Sequence, residues 1–121
     1  MPIVDLEVVC QLPESQRLPS VALLASALGR VFGSDPGRTW VRLRALDASC
    51  YAENDSTLSA TELPVFVTVL LATPSTGAAL QAEVAAVTEA VAAWSAREPA
   101  RVHVAYAPAG AGRQAFGGRL V

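Results

Sequence analysis

Twice along this chain an apolar helical stripe is flanked on both sides by β-branched runs, and that repeated order leaves few folds open. The first unit opens with a strand over residues 2 to 9, where Ile3, Val4, Val8 and Val9 suit a pleated surface. A connector from Cys10 to Leu18, containing Pro13, leads to Pro19. That proline fits a first helical turn, where its missing N–H costs no hydrogen bond. Val21, Leu24, Leu28 and Val31 then recur at spacings of three and four, the stripe of an amphipathic helix, and Gly33 and Pro36 end it. Residues 39 to 46 return to strand, with Val41, Leu43 and Ala45 on one face and Trp40, Arg42 and Arg44 on the other.

A polar stretch over residues 48 to 61, a loop or small hairpin, separates this unit from the second. The nearly continuous β-branched run from 63 to 72 predicts a central strand. Residues 73 to 77 form a turn with a helix cap at Ser75 or Thr76. Leu80, Val84, Val87, Val91 and Trp94 then mark a helix of about twenty residues with Trp94 in the core. Pro99 separates it from a fourth strand over 101 to 107, and the glycine-rich tail closes on 116 to 121 as a short strand or hairpin.

Helix crossovers of this kind join parallel strands with a right-handed turn. The fold class is therefore α/β (α+β two-layer), with duplicated β-α-β units forming a four-stranded mixed sheet and two helices on one face. One domain spans residues 1–121, with pseudo-repeat halves over about 2–47 and 63–107. The bare face must carry some polar residues, and Asp5 with Glu7, then Arg42 with Arg44, alternate as it requires. Hydrophobic residues make up 52% of the chain and charged residues 17%, a balance that predicts surface buried against other subunits.

The same composition argues against several functions. Net charge is −2 and the arginines are dispersed, which excludes a nucleic-acid surface. No run approaches the roughly 18 apolar residues of a membrane span, and the Met-Pro start with Asp5 is no signal peptide, so a cytoplasmic protein is expected. Cys10 and Cys50 lack metal-ligand spacing, and a single histidine gives a zinc site little to build on. Gly110, Gly112, Gly117 and Gly118 do not follow a dinucleotide fingerprint, so neither metal nor cofactor is expected.

Pro2 carries the chemistry. Removal of Met1 would leave a secondary amine titrating near pH ~8, lowered further by burial or a cationic neighbour. Such an amine shuttles protons at neutral pH. The Met-Pro start on an apolar strand, the duplicated β-α-β units and the 121-residue length resemble the tautomerase superfamily of N-terminal-proline enzymes. By length the chain is similar to the macrophage migration inhibitory factor and 5-carboxymethyl-2-hydroxymuconate isomerase groups. Residues 101–106 and the Phe116-Gly117-Gly118 stretch resemble the last strand and tail of the former, although His103 stands at a frequent tyrosine position and the chain has no lysine.

The resemblance implies a homotrimeric, cofactor-independent tautomerase or isomerase. Its substrate would be a small-molecule carboxylate, an unsaturated 2-hydroxy or 2-keto acid. Pro2, Arg42 and Arg44 would be catalytic: the proline moves the proton, one arginine clamps the carboxylate and another donor holds the enolate oxygen. His103, Tyr106, Phe116 and Trp40 would complete the substrate pocket. Other readings stand beside this one. Arg42 and Arg44 can instead pair with Asp5 and Glu7 across the open face. A decarboxylase or hydrolytic dehalogenase would recruit Asp47, Glu53 or Asp55, and a catalytically silent oligomer would keep the scaffold for binding.

Overall fold

The computed structural model describes residues 1–11 and 18–121; the connector containing Pro13 lies largely outside them. Strand β1 (Ile3–Cys10), helix α1 (Val21–Phe32) and strand β2 (Trp40–Asp47) form the first unit. Strand β3 (Val65–Leu70), helix α2 (Gly77–Ser95) and strand β4 (Val102–Tyr106) form the second, followed by the two-residue strands β5 (Ala115–Phe116) and β6 (Arg119–Leu120). The main sheet runs β2-β1-β3-β4. Each unit pairs its own strands in parallel, and β1 and β3 join the units antiparallel. This is the expected two-layer α/β architecture.

Register decides what each face holds. Val4, Leu6 and Val8 of β1 sit opposite Val69, Val67 and Val65 of β3, and these six are at most 2% exposed. Leu24 and Leu28 of α1 and Val87, Val91 and Trp94 of α2 close over them. Both helices therefore bury their apolar stripes against one side of the sheet. The Trp94 indole N–H donates to the Ser20 carbonyl at 3.0 Å, so the largest core side chain also ties α2 to the start of α1.

Local chemistry sets the ends of the elements. The Ser20 hydroxyl accepts from the Ala22 N–H at the α1 start, and Gly33 stops that helix at φ 63°, a left-handed conformation that glycine adopts without steric cost. The β5–β6 turn places Gly117 and Gly118 at φ 57° and 84°, two consecutive positive values that a tight hairpin demands. Residues 48 to 62 form a loop with short 3-10 turns at Ala48–Cys50 and Ala60–Glu62, with no hairpin. Arg97, 8% exposed, donates from Nη1 to the Val9 and Leu63 carbonyls at 3.0 and 2.5 Å, satisfying backbone acceptors where β1 ends. Among the described residues, no helix is long and apolar enough to cross a membrane.

Candidate functional site

The chain enters β1 through Met1 and Pro2. The Pro2 carbonyl accepts from the Trp40 N–H at 3.0 Å, which extends the β1–β2 pairing back to the proline. Its nitrogen is acylated by Met1. Arg38, in the turn before β2, donates from Nη1 to the Met1 sulfur at 3.3 Å. Around this contact opens a cleft of about 410 Å³. Phe32 and Gly33 come from the end of α1, Ser34, Asp35 and Arg38 from the α1–β2 turn, and Leu71, Thr73 and Ser75 from the segment after β3. Glu83 of α2 completes it.

Two hydrogen bonds order the polar parts of this cleft. Thr39 Oγ1 donates to Ser34 Oγ at 2.7 Å. Tyr106 reaches from β4 to donate its phenol proton to Glu83 Oε2 at 2.6 Å. Burial and the adjacent Glu83 carboxylate push the Tyr106 phenol well above its ordinary range, so it stays protonated and remains a donor.

The open face of the sheet holds a different set. Parallel register puts Asp5 beside Arg42 and Glu7 beside Arg44. Arg42 grips Asp5 with two bonds, Nε to Oδ1 at 2.5 Å and Nη2 to Oδ2 at 2.7 Å, the two-pronged geometry a guanidinium favours. The Arg42 bond holds the Asp5 carboxyl below the usual carboxylate range. Among the described residues Arg44 has no hydrogen bond or ion pair, and it lines a shallow crevice with Glu7, Phe66 and Thr68. His103 lies one strand beyond Phe66 and packs against its ring with centroids 5.5 Å apart. Tyr51 meets the same Phe66 at 5.8 Å and donates to Glu53 Oε2 at 2.7 Å; Arg101 Nη2 donates to that oxygen at 2.6 Å. The two donors hold the Glu53 carboxyl below its ordinary range.

The residues singled out in the sequence thus fall in three places. Arg42, Arg44 and His103 share the open face, with Arg42 already paired. Trp40 packs edge-on against Phe116 at 4.9 Å between centroids, joining the tail hairpin to the β2 edge. Tyr106 points to the helix side and meets Glu83, and Pro2 lines the cleft beside Arg38. Arg38, Asp35 and Glu83 carried no signal in the sequence, since they follow no periodicity and come from a turn and a distant helix. Among the described residues, no group of three histidine, cysteine or acidic side chains is placed to hold a metal ion.

No protein-family model matches the chain, and no curated protein matches it. Solved structures share its fold. A wild-type fused 4-OT, described as a symmetric trimer, superposes with a TM-score of 0.71 at 16% identity, covering 98% of this chain and 94% of that one. A macrophage migration inhibitory factor from Oncomelania hupensis gives 0.75 at 16% identity, covering 99% and 82%. A malonate semialdehyde decarboxylase, FG41, inhibited by 3-bromopropiolate, gives 0.69 at 20% identity, covering 95% and 88%. At these identities the likeness is one of fold.

The enzyme expected from that resemblance does not hold for this chain. Residue 1 is methionine, so the Pro2 nitrogen is a tertiary amide whose lone pair is delocalised into the Met1 carbonyl. It has no N–H and does not titrate as an amine. The assignment to N-terminal-proline tautomerases, the isomerase activity and the catalytic role of Pro2 are corrected accordingly.

Proposed function

We propose that the chain is a catalytically silent, homotrimeric binding protein that holds a small carboxylate in the cleft beside Met1 and Pro2. One observation carries this reading. Where a proline amine would stand, there is a peptide bond, with the Met1 thioether against the Arg38 guanidinium. Of the readings the sequence leaves open, a binding protein is the one that needs no free amine. Arg38 is exposed and its only hydrogen-bond partner on the guanidinium, among the described residues, is a weakly accepting sulfur. A ligand carboxylate is a stronger acceptor for that planar fork and displaces the thioether.

Assembly as a trimer is supported by the fold shared with fused 4-OT trimers and by the sheet face that no helix covers. Exposed apolar side chains, Leu23 and Leu120 at 65% and Trp40 at 40%, give further surface for contact between copies.

Calorimetric titration with small 2-oxo and 2-hydroxy acids, followed by proton NMR of the ligand, tests this. Binding without chemical change is expected, and Arg38→Ala weakens it about tenfold, the effect of one charge-assisted hydrogen bond. Sedimentation should give a trimer, and the intact mass should include Met1. Conversion of the acid, or a mass lacking Met1, overturns the silent-binding reading.

A further inference from the structure

The cleft holds side-chain charges of both signs that do not neutralise one another. Arg38 brings a guanidinium, and Asp35 and Glu83 bring carboxylates. Arg38 forms an ion pair with neither: its N–H to the Asp35 oxygen at 3.1 Å is a backbone-to-backbone bond. Glu83 has one oxygen engaged by Tyr106 and, among the described residues, no hydrogen-bond partner on the other. Tyr106 therefore fixes the Glu83 carboxylate toward the cleft while leaving acceptor capacity on it. Ser34, Thr73 and Ser75 add hydroxyls around the same space, and Phe32 and Leu71 add an apolar patch.

A simple carboxylate meets only half of this arrangement. It satisfies Arg38, but it brings negative charge close to two carboxylates, which is repulsive wherever water is partly excluded. A ligand that also carries an ammonium group satisfies both sides. From these unpaired charges we infer that the cleft takes a small zwitterion of the α-amino-acid class, its carboxylate on Arg38, its ammonium on Glu83 or Asp35, and its side chain against Phe32 and Leu71. The inference deepens the carboxylate-binding reading and rests on it. The ligand's two charges lie about as far apart as one tetrahedral carbon allows, so both contacts must come from one end of the cleft.

The test compares three probes of matched shape by calorimetry on the full chain: leucine, its 2-oxo acid and leucine amide. Leucine is expected to bind about tenfold tighter than the oxo acid, as one added charge-assisted bond predicts. Leucine amide, lacking the carboxylate, should bind as weakly as the oxo acid or more so. Glu83→Gln keeps a hydrogen-bond acceptor for Tyr106 and removes the charge, and either this substitution or Asp35→Asn should bring the leucine-to-oxo-acid ratio toward one. Asp35→Asn, on an exposed turn, reads the other carboxylate without touching the Tyr106 contact. Equal binding of leucine and its oxo acid overturns the zwitterion inference and leaves carboxylate binding standing. Failure of both to bind, or binding of the amide alone, overturns the carboxylate reading and this inference together. A preference for leucine that survives both substitutions also overturns it, since the ammonium would then lie elsewhere.

Discussion

The two faces of the central sheet come from the same strands, yet one is held by exclusion of water and the other by register. On the helix-covered face, Val4, Leu6, Val8, Val65, Val67 and Val69 alternate with the pleat and lose nearly all contact with solvent. On the open face the intervening positions carry Asp5, Glu7, Arg42, Arg44, Thr68 and His103. Burying a Leu or Val side chain is worth roughly 1.5–3 kcal/mol, while an exposed ion pair contributes about 0–1 kcal/mol. Stability therefore lives on the covered face. The open face is free to carry charge, and substitutions there should change recognition before they change folding.

The largest expected effect tests the covered face directly. Leu28→Ala removes a fully buried side chain from the α1 stripe, where α1, α2 and the sheet meet. A loss of about 3 kcal/mol in urea unfolding is expected, the usual cost of a core cavity of this kind. A loss no greater than that of an open-face substitution breaks the comparison.

That same contrast explains what could be read from the sequence. The period-two alternation in β1 and β2, the continuous β-branched run of β3 and the three-and-four spacing in α1 and α2 were legible because burial imposes them. The Trp94 position in the core and the Gly33 helix end follow from the same logic, and the structure has both. The pairing of Asp5 with Arg42 was open in the sequence, since alternation placed acids and arginines on one face without giving the register that joins them. The cleft was not legible. Arg38 and Glu83 are 45 residues apart and line one cleft only because the fold packs α2 against α1. Pro2 failed for a covalent reason: its chemistry depends on whether its nitrogen is acylated, which no pattern of side chains records.

A middle-sized effect sharpens the comparison, because one polar pair sits at the edge of the covered face. Tyr106→Phe deletes the donor to Glu83 and leaves a half-buried carboxylate short of a partner. A loss of roughly 1.5 kcal/mol is expected at neutral pH, since bonds to charged groups lie near that value. The folded-state phenol is held above its unfolded value, so its stabilisation is complete below about pH 10 and fades as pH rises through the folded value. The wild-type and Tyr106→Phe stability curves should therefore converge in strong alkali. Curves that stay parallel there would show that the hydrogen bond is not the source of the difference.

The smallest expected effect lies on the open face. Arg42→Ala removes the two-pronged contact with Asp5, but in the single chain the Arg42 side chain is 64% exposed and the half-buried Asp5 is 34% exposed, so water reaches the pair and screens it. The unfolding midpoint at neutral pH should move little beyond replicate scatter. What changes is the titration of Asp5. The Arg42 hydrogen bond depresses that carboxyl in the folded chain, with smaller help from the Arg42 and Arg44 charges. A depressed carboxyl contributes stability above its unfolded value near pH ~3.9 and loses it as pH falls through the folded value. In Arg42→Ala the Asp5 carboxyl, followed by NMR, should titrate at higher pH, nearer an ordinary aspartate, and the acid limb of the stability curve should flatten. Part of the depression should persist through Arg44, and added salt should erase that remainder first. A marked loss of stability at neutral pH would instead place this pair among the interactions that hold the fold, and the division of labour between the two faces would fail at its most exposed point.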